Sequence, residues 1–241
     1  MTQEQQEKLL EDLFRAYFEA RKNKRGTANA VIFELDHEDK LIELFHELLN
    51  REYQLSPSIC FINHHPVKRE IFAAGFRDRI VHHLVFNYIN HIFERVFIND
   101  SYSCRKGRGT GYGIKRSDHF IRSCSANYHR DCYILKMDIQ GYFMNLDKDI
   151  LFSKLTGVLR RYEHLLDVPW DFLFYLLRMI VFHNPVANCR LRGNSRDWED
   201  LPRDKSLFYT AKGKGLPIGN LTSQLFGNVY LNDLDHYIKY G

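Results

Sequence analysis

Two segments about eighty residues apart carry residue types that could do chemistry. The first, YILKMDIQGYF at residues 133–143, is an apolar run with one carboxylate, Asp138, which we call the Asp138 segment. The second, GLPIGNLTSQ at residues 215–224, has the pattern of a glycine turn that leads into a helix, and we call it the Gly219 segment. A carboxylate in an apolar strand is unfavourable unless it lies at the strand end or binds a cation. Asp138 is therefore a candidate ligand for a hard cation, although an aspartate at a strand end more often forms a turn or a cap.

A third segment, SYSCRKGRGTG at residues 101–111, is rich in glycine and arginine. Residues 101–130 contain seven lysines and arginines against one acid, Asp118. This local excess of positive charge predicts a surface that binds a polyanion, with a solvated basic face as the alternative. The glycines resemble a dinucleotide-binding loop, but no strand precedes them and no acid follows at the required distance.

The Asp138 and Gly219 segments together resemble motifs A and B of a reverse transcriptase, and the resemblance extends over residues 56–239. Most bacterial group II-type enzymes have Gln-Gly-x-x-x-Ser-Pro in motif B. This chain has Ile218 in place of the first glutamine and Gln224 in place of the proline. That variant is similar to the reverse transcriptases of diversity-generating retroelements.

The resemblance implies a role for each matched residue. Asp138 and the carbonyl of Ile139 would bind Mg²⁺, with Mn²⁺ as its substitute, for two-metal nucleotidyl transfer. Phe143 would act as a steric gate against the ribose 2′-hydroxyl. The resemblance assigns nucleotide binding to Arg69, Gly141, Tyr142, Phe143, Ile218 and Gly219, and nucleic-acid contact to Arg105, Lys106, Arg108, Gly109 and Gln224.

The function implied is RNA-directed DNA synthesis, error-prone and within a diversity-generating retroelement. The expected partners are a template RNA, a primer and deoxynucleoside triphosphates, together with a basic accessory protein. One alternative is another bacterial reverse transcriptase, such as a group II intron maturase or a defence-associated enzyme; Ile218 and Gln224 argue against the maturase. A second alternative is a non-catalytic RNA-binding remnant, which would need neither Mg²⁺ nor Asp138.

One required motif is absent from the sequence. Such polymerases use three carboxylates, two of them from a Tyr-x-Asp-Asp hairpin, and residues 1–241 contain no such sequence. Asp233 and Asp235 are two positions apart in a predicted helix and would project to different faces. We therefore expect this chain to form fingers and an incomplete palm without a thumb, and not to polymerise by itself.

The elements that must position these residues predict an α+β chain with a right-hand polymerase fold. Its expected divisions are N-terminal helices and fingers (1–100), a first palm part (101–148), a return to the fingers (149–213) and a second palm part (214–241). Helices are predicted at residues 4–22, from Asp36, at residues 76–97, between residues 113 and 133, after a cap at Asp147, at Trp170–Phe182 and from Asn220. Strands are predicted at Ser58–Asn63 and at residues 68–74, 133–139 and 206–210.

Composition limits the remaining classes. With 44% hydrophobic and 14% aromatic residues, the chain is typical of a globular protein rather than a disordered one. Five scattered cysteines without a CxxC pair favour a reducing compartment over a disulfide framework or a zinc site. The sequence shows no signal peptide and no apolar run long enough to span a bilayer, which predicts a cytoplasmic protein without a membrane partner.

Overall fold

Apolar residues at helical spacing form most of the chain, and three short strands form the rest of its regular structure. A computed structural model describes residues 1–22 and 24–241. Its helices are α1 (Gln3–Arg21), α2 (Ala28–Leu35), α3 (His37–Leu49), α4 (Phe76–Val96), α5 (Thr110–Cys124), α6 (Tyr142–Asn145), α7 (Lys148–Arg161), α8 (Trp170–Phe182) and α9 (Leu221–Tyr240). Its strands are β1 (Ser58–Asn63), β2 (Arg69–Ala73) and β3 (Cys189–Leu191). The predicted α+β class is confirmed for the described residues.

The seven predicted helices are confirmed, as α1, α3, α4, α5, α7, α8 and α9. Asp147 caps α7 as predicted, since its side chain accepts from the Asp149 and Ile150 amides. Helix α1 begins with a capping box, in which the Thr2 hydroxyl accepts from the Gln5 amide and the Gln5 side chain accepts from the Thr2 amide. Asp36 does precede α3, but its side chain makes no capping bond. Helix α2 was not predicted, because its eight residues are mostly apolar without a clear helical stripe.

The sheet is small and mixed. Strand β1 pairs antiparallel with β2, placing Ile59 opposite Ala73, and parallel with β3, placing Ser58 opposite Cys189. Two of the four predicted strands are confirmed, as β1 and β2. Strand β3 lies in a stretch with many polar residues and is only three residues long. Such a short strand carries too little periodicity to be recognised from sequence.

One main core joins distant parts of the chain. It is built from α1, α3, α4, α7, α8 and α9, and its buried members extend from Leu9 to Val229. Helix α7, which begins at the predicted boundary after residue 148, packs against both α8 and α9. The four predicted divisions therefore share this core instead of folding around separate ones.

Two predicted strands are wrong. Residues 206–210 form a short 3-10 turn, Leu207–Tyr209, instead of a strand. Residues 133–139 form no strand among the described residues, and they are not buried: Tyr133 is 90% exposed and Leu135 is 80% exposed. A strand needs a neighbour for its backbone hydrogen bonds, and β1, β2 and β3 pair only with one another. The apolar pattern of residues 133–139 is typical of a strand, but none of the described residues pairs with it.

No helix in the described part of the chain has both the length and the apolar character needed to cross a membrane.

Helix α4 is tied to α9 by a buried histidine. The Nδ1 atom of His82 lies 2.7 Å from the Thr222 hydroxyl oxygen, and burial lowers the pKa of His82 to about 3. An unfolded histidine takes up a proton below about pH 6.5. Between these two values the unfolded state binds more protons, so the free energy of unfolding falls as the pH falls.

We expect the free energy of unfolding to drop by roughly 2 kcal/mol between pH 7 and pH 5 through His82 alone. Denaturant titrations at these two pH values measure it. His82→Gln should remove most of this slope, whereas His91→Gln, an exposed position on the same helix, should keep it. An identical pH slope in His82→Gln and the wild type would show that His82 is not held neutral by the fold.

Candidate functional site

The Asp138 and Gly219 segments meet in the structure. The Gly215 amide donates to the Leu146 carbonyl at 2.8 Å, and the Leu216 amide donates to the Phe143 carbonyl at 2.8 Å. Gly215 has a φ of +86°, and a Cβ there would lie 2.6 Å from a Leu207 methyl carbon. A glycine is therefore needed for this close pairing.

A cavity of about 290 Å³ lies between these segments and the sheet. We call it the Arg69 cavity. Its lining residues are Val67, Lys68, Arg69, Gly141, Tyr142, Phe143, Met144, Asp204, Lys205 and Ile218. Five of the six residues assigned to nucleotide binding from sequence lie in this lining, and the sixth, Gly219, is the neighbour of Ile218. The sequence did not predict Lys68, Asp204 or Lys205 as site residues. Lys68 precedes Arg69, so this basic dipeptide is a signal that points to it. No sequence signal places Asp204 or Lys205 here.

Backbone contacts fix the Gly219 segment against β2. The Phe72 amide donates to the Ile218 carbonyl at 2.9 Å, and the Asn220 side-chain oxygen accepts from the Ala74 amide at 3.2 Å. Gly219 has a φ of +128°, and a Cβ there would lie 3.2 Å from the Phe72 carbonyl oxygen. Gly219 thus allows the turn to dock on the strand, and its predicted approach to a base pair stays a prediction.

Tyr142 and Phe143 form the floor of the cavity. Both residues lie in the helical turn α6. The Tyr142 hydroxyl donates to the Gly227 carbonyl at 2.6 Å, and a Cβ on Gly227 would lie 3.5 Å from the Phe143 ring. Burial raises the pKa of the Tyr142 phenol above its ordinary value, so the group remains a hydrogen-bond donor at neutral pH.

A buried carboxylate holds the opposite wall. Glu70 is fully buried and accepts three hydrogen bonds, from Trp198 Nε1 at 2.9 Å, the Ser206 hydroxyl at 2.9 Å and the Leu207 amide at 2.7 Å. Because Glu70 follows Arg69 in β2, the same strand supports the wall and presents Arg69 to the cavity. This network also explains why residues 206–210 do not form a strand.

The charge in the cavity is mainly positive. Asp204 accepts from the Gln140 side chain at 2.6 Å, and the Lys68 ammonium donates to the Glu199 carbonyl. Arg69 is exposed and has no side-chain partner among the described residues. With Lys205, the lining holds three cations and one acid. A free guanidinium beside ammonium groups suits a phosphate ligand.

Asp138 and Ile139 lie outside this lining and are exposed. Asp138 is three residues from Gly141, so its backbone is within about 11 Å of the cavity. Mg²⁺ takes about six oxygen ligands. The resemblance assigns two of them to Asp138 and the Ile139 carbonyl, and the described residues contain no cluster of three side chains that could hold a metal ion. The donors present therefore fit part of a magnesium site that nucleotide phosphates would extend, and not a two-metal site.

The residues assigned to nucleic-acid contact are not gathered in the Arg69 cavity. Arg105 is only 7% exposed, and its guanidinium bonds to Glu94 at 2.9 Å and to the Ile98 and Ser101 carbonyls at 2.8 and 2.7 Å. Its donors hold the loop together, which favours a structural role. Arg108 donates to the Asn99 carbonyl at 2.7 Å.

The remaining members of that set are on the surface: Lys106, Gly109 and Gln224 are all exposed. Gln224 lies one helical turn before Gly227, the residue that supports Tyr142 and Phe143, so it faces the same side of α9. Their contact with nucleic acid stays a prediction.

No family model matches this chain, and no curated protein sequence matches it.

We expect Glu70→Ala to lower the free energy of unfolding by about 3 kcal/mol or more, because three buried donors lose their acceptor. Glu70→Gln should lower the free energy of unfolding by a smaller amount. Its side-chain carbonyl oxygen still accepts hydrogen bonds, while its amide group, itself a donor, faces the other donors. Chemical denaturation measures both. Glu199→Ala, which removes an exposed carboxylate from the same wall, should change stability by no more than about 0.5 kcal/mol. Equal stability of Glu70→Ala and Glu199→Ala would contradict a supporting role for Glu70.

Proposed function

We propose that this chain is the nucleotide-binding part of an RNA-directed DNA polymerase of the diversity-generating retroelement type. The observation that carries the proposal is the Arg69 cavity, where residues from β2, the Asp138 segment and the Gly219 segment line one space. Gly141, Tyr142 and Phe143 are consecutive in the chain, and Arg69 and Ile218 reach the same cavity from distant segments. In the proposed right-hand fold, residues 1–100 and 149–213 form the fingers, and residues 101–148 and 214–241 form palm parts.

Each lining residue has a defined part in holding a deoxynucleoside triphosphate. Arg69 and Lys205 provide the positive charge for the phosphates. The amides of Gly141 and Tyr142 donate to no described residue, and they are available to phosphate oxygens. The Phe143 ring restricts the space for a ribose 2′-hydroxyl. Ile218 offers only aliphatic contact where a glutamine amide would select by hydrogen bonding, which suits loose nucleotide selection.

The proposed chemistry needs Mg²⁺, or Mn²⁺ in its place, which when bound would neutralise phosphate charge and activate the primer hydroxyl. Asp138 and the Ile139 carbonyl are the residues of this chain that would hold it. Since these donors do not complete a two-metal site, further carboxylates are needed for catalysis. The chain's own contribution is to bind and orient the nucleotide beside Asp138.

A second candidate is an RNA-binding module without catalysis, and one observation favours it: the cationic cavity is formed within the described residues while the metal donor set is partial. Another bacterial reverse transcriptase remains the enzyme alternative. Under the first proposal the partners are a template RNA, a primer and a basic accessory protein. The two candidates differ in their need for Asp138: the polymerase needs it for DNA synthesis, and the RNA-binding module does not need it.

We expect Arg69→Ala to weaken the binding of dGTP, measured by calorimetry without metal, by about tenfold or more, because a charge-assisted contact to phosphate is lost. Arg190→Ala is the matched control, since Arg190 is an exposed arginine on β3 that does not line the cavity. Unchanged affinity in Arg69→Ala, or an equal loss in Arg190→Ala, would contradict the assignment of the cavity to nucleotides.

We expect residues 1–241 with Mg²⁺, template RNA and primer to give no primer extension. In a longer polymerase that contains these residues and the further carboxylates, Asp138→Ala should abolish extension and leave RNA binding within about twofold, because Asp138 binds the metal and not the RNA. Asp149→Ala, an exposed acid at the start of α7, is the control and should keep extension. Robust extension by residues 1–241, or by the Asp138→Ala polymerase, would refute the metal role.

A further inference from the structure

A second cavity, of about 450 Å³, lies on the other side of the Gly215 pairing. It is formed by the start of α7, the chain after α8, and the residues that lead into the Gly219 segment. It shares no lining residue with the Arg69 cavity. Because Lys148 is its most buried charged residue, we call it the Lys148 cavity.

Lys148 is an unusual residue to bury. It is 6% exposed, and its ammonium donates to the His183 carbonyl at 2.7 Å. Among the described residues no carboxylate forms a salt bridge with it. Burial lowers the pKa of the Lys148 ammonium to about 8. A buried ammonium with one neutral acceptor has further N–H groups that can donate hydrogen bonds, and no negative charge compensates its own.

The surroundings add positive charge and no negative charge. Lys212 and Lys214 also line the cavity, and no aspartate or glutamate does. Behind Lys148, burial and the nearby ammonium lower the pKa of His183, whose Nε2 atom is buried without a partner among the described residues. An anion in the cavity would relieve this repulsion.

Two aromatic rings complete the lining. Phe182 is 37% exposed and Phe208 is 39% exposed, and both belong to the cavity wall. Exposed aromatic rings beside lysines are the combination that binds nucleotides, since the rings stack on bases and the lysines hold phosphates. A volume of about 450 Å³ lies within the usual range for a small organic ligand.

We propose that the Lys148 cavity is a second nucleotide site, which takes a nucleoside phosphate either free or as part of a nucleic-acid strand. The phosphate accepts hydrogen bonds from Lys148, Lys212 and Lys214, and the base packs against Phe182 or Phe208. The site is separate from the proposed polymerase site and does not depend on it.

The test is calorimetric titration of ADP without metal into the Arg69→Ala chain, so that the Arg69 cavity contributes little. Adding Lys148→Met should weaken ADP binding by about tenfold or more. Lys154→Met on the same helix is the matched control, since Lys154 pairs with Asp233 outside the cavity. The proposal is overturned if ADP does not bind at millimolar concentration, or if Lys148→Met and Lys154→Met bind it equally.

Two further ligands identify the source of the phosphate. Tighter binding of a six-nucleotide oligoadenylate than of ADP, lost in Lys148→Met, supports the site as one for a strand, and the reverse order supports a free nucleotide. If inorganic pyrophosphate binds as tightly as ADP, the proposed packing of the base against Phe182 or Phe208 is overturned. Should Lys148→Met fail to fold, the double variant Lys212→Gln/Lys214→Gln replaces it: about threefold or more weaker binding supports the site, and unchanged affinity overturns it.

Raising the pH gives an independent readout. Since Lys148 loses its proton near pH 8, ADP affinity should fall between pH 7 and pH 9 in the chain that keeps Lys148. Lys148→Met should lack this part of the pH dependence. An equal pH dependence with and without Lys148 overturns its assignment as the phosphate contact.

Discussion

The buried carboxylate of Glu70 is the contact on which the Arg69 cavity depends. A charged group without exposure is tolerated only when its lone pairs are satisfied, and the three donors from residues 198–207 provide that. The consequence is geometric. A polar, irregular stretch with little apolar content is held against β2, and it becomes the wall that carries Asp204 and Lys205.

On the other side of the cavity, two glycines allow backbone segments to pack closely. Gly215 and Gly219 both have positive φ, and a side chain at either would collide with its neighbours. Because neither glycine has a Cβ, the backbone around them lies at hydrogen-bond distance from the Asp138 segment and from β2. The cavity is therefore framed by main chain and by a fully satisfied buried acid, which makes its shape less dependent on flexible side chains. Arg69 is the exception, since it is exposed and free to contact a ligand.

Positive charge is distributed in the structure differently from what the sequence suggested. The run of arginines between residues 101 and 130 is largely paired: Arg105 with Glu94, Arg116 with Asp100 and Arg122 with Asp118. The cations that line the Arg69 and Lys148 cavities come instead from three separate parts of the chain, at residues 68–69, 148 and 205–214. Charge counted along a sequence thus overstates the surface available for a polyanion when acids from other elements meet it in the fold.

Local pattern determined the α+β class, the seven predicted helices and strands β1 and β2, because each depends on periodicity or caps within a few turns of chain. The motif residues Arg69, Gly141, Tyr142, Phe143 and Ile218 could also be selected from sequence, since their types and spacing carry the resemblance. Tertiary structure alone decided that these residues share a cavity, that Glu70 and residues 203–207 build its wall, and that Lys148 is buried without an acid. It also decided the state of residues 133–139, whose apolar pattern predicts a strand. A strand exists only where another backbone offers hydrogen bonds, and that partner is not encoded in the segment itself.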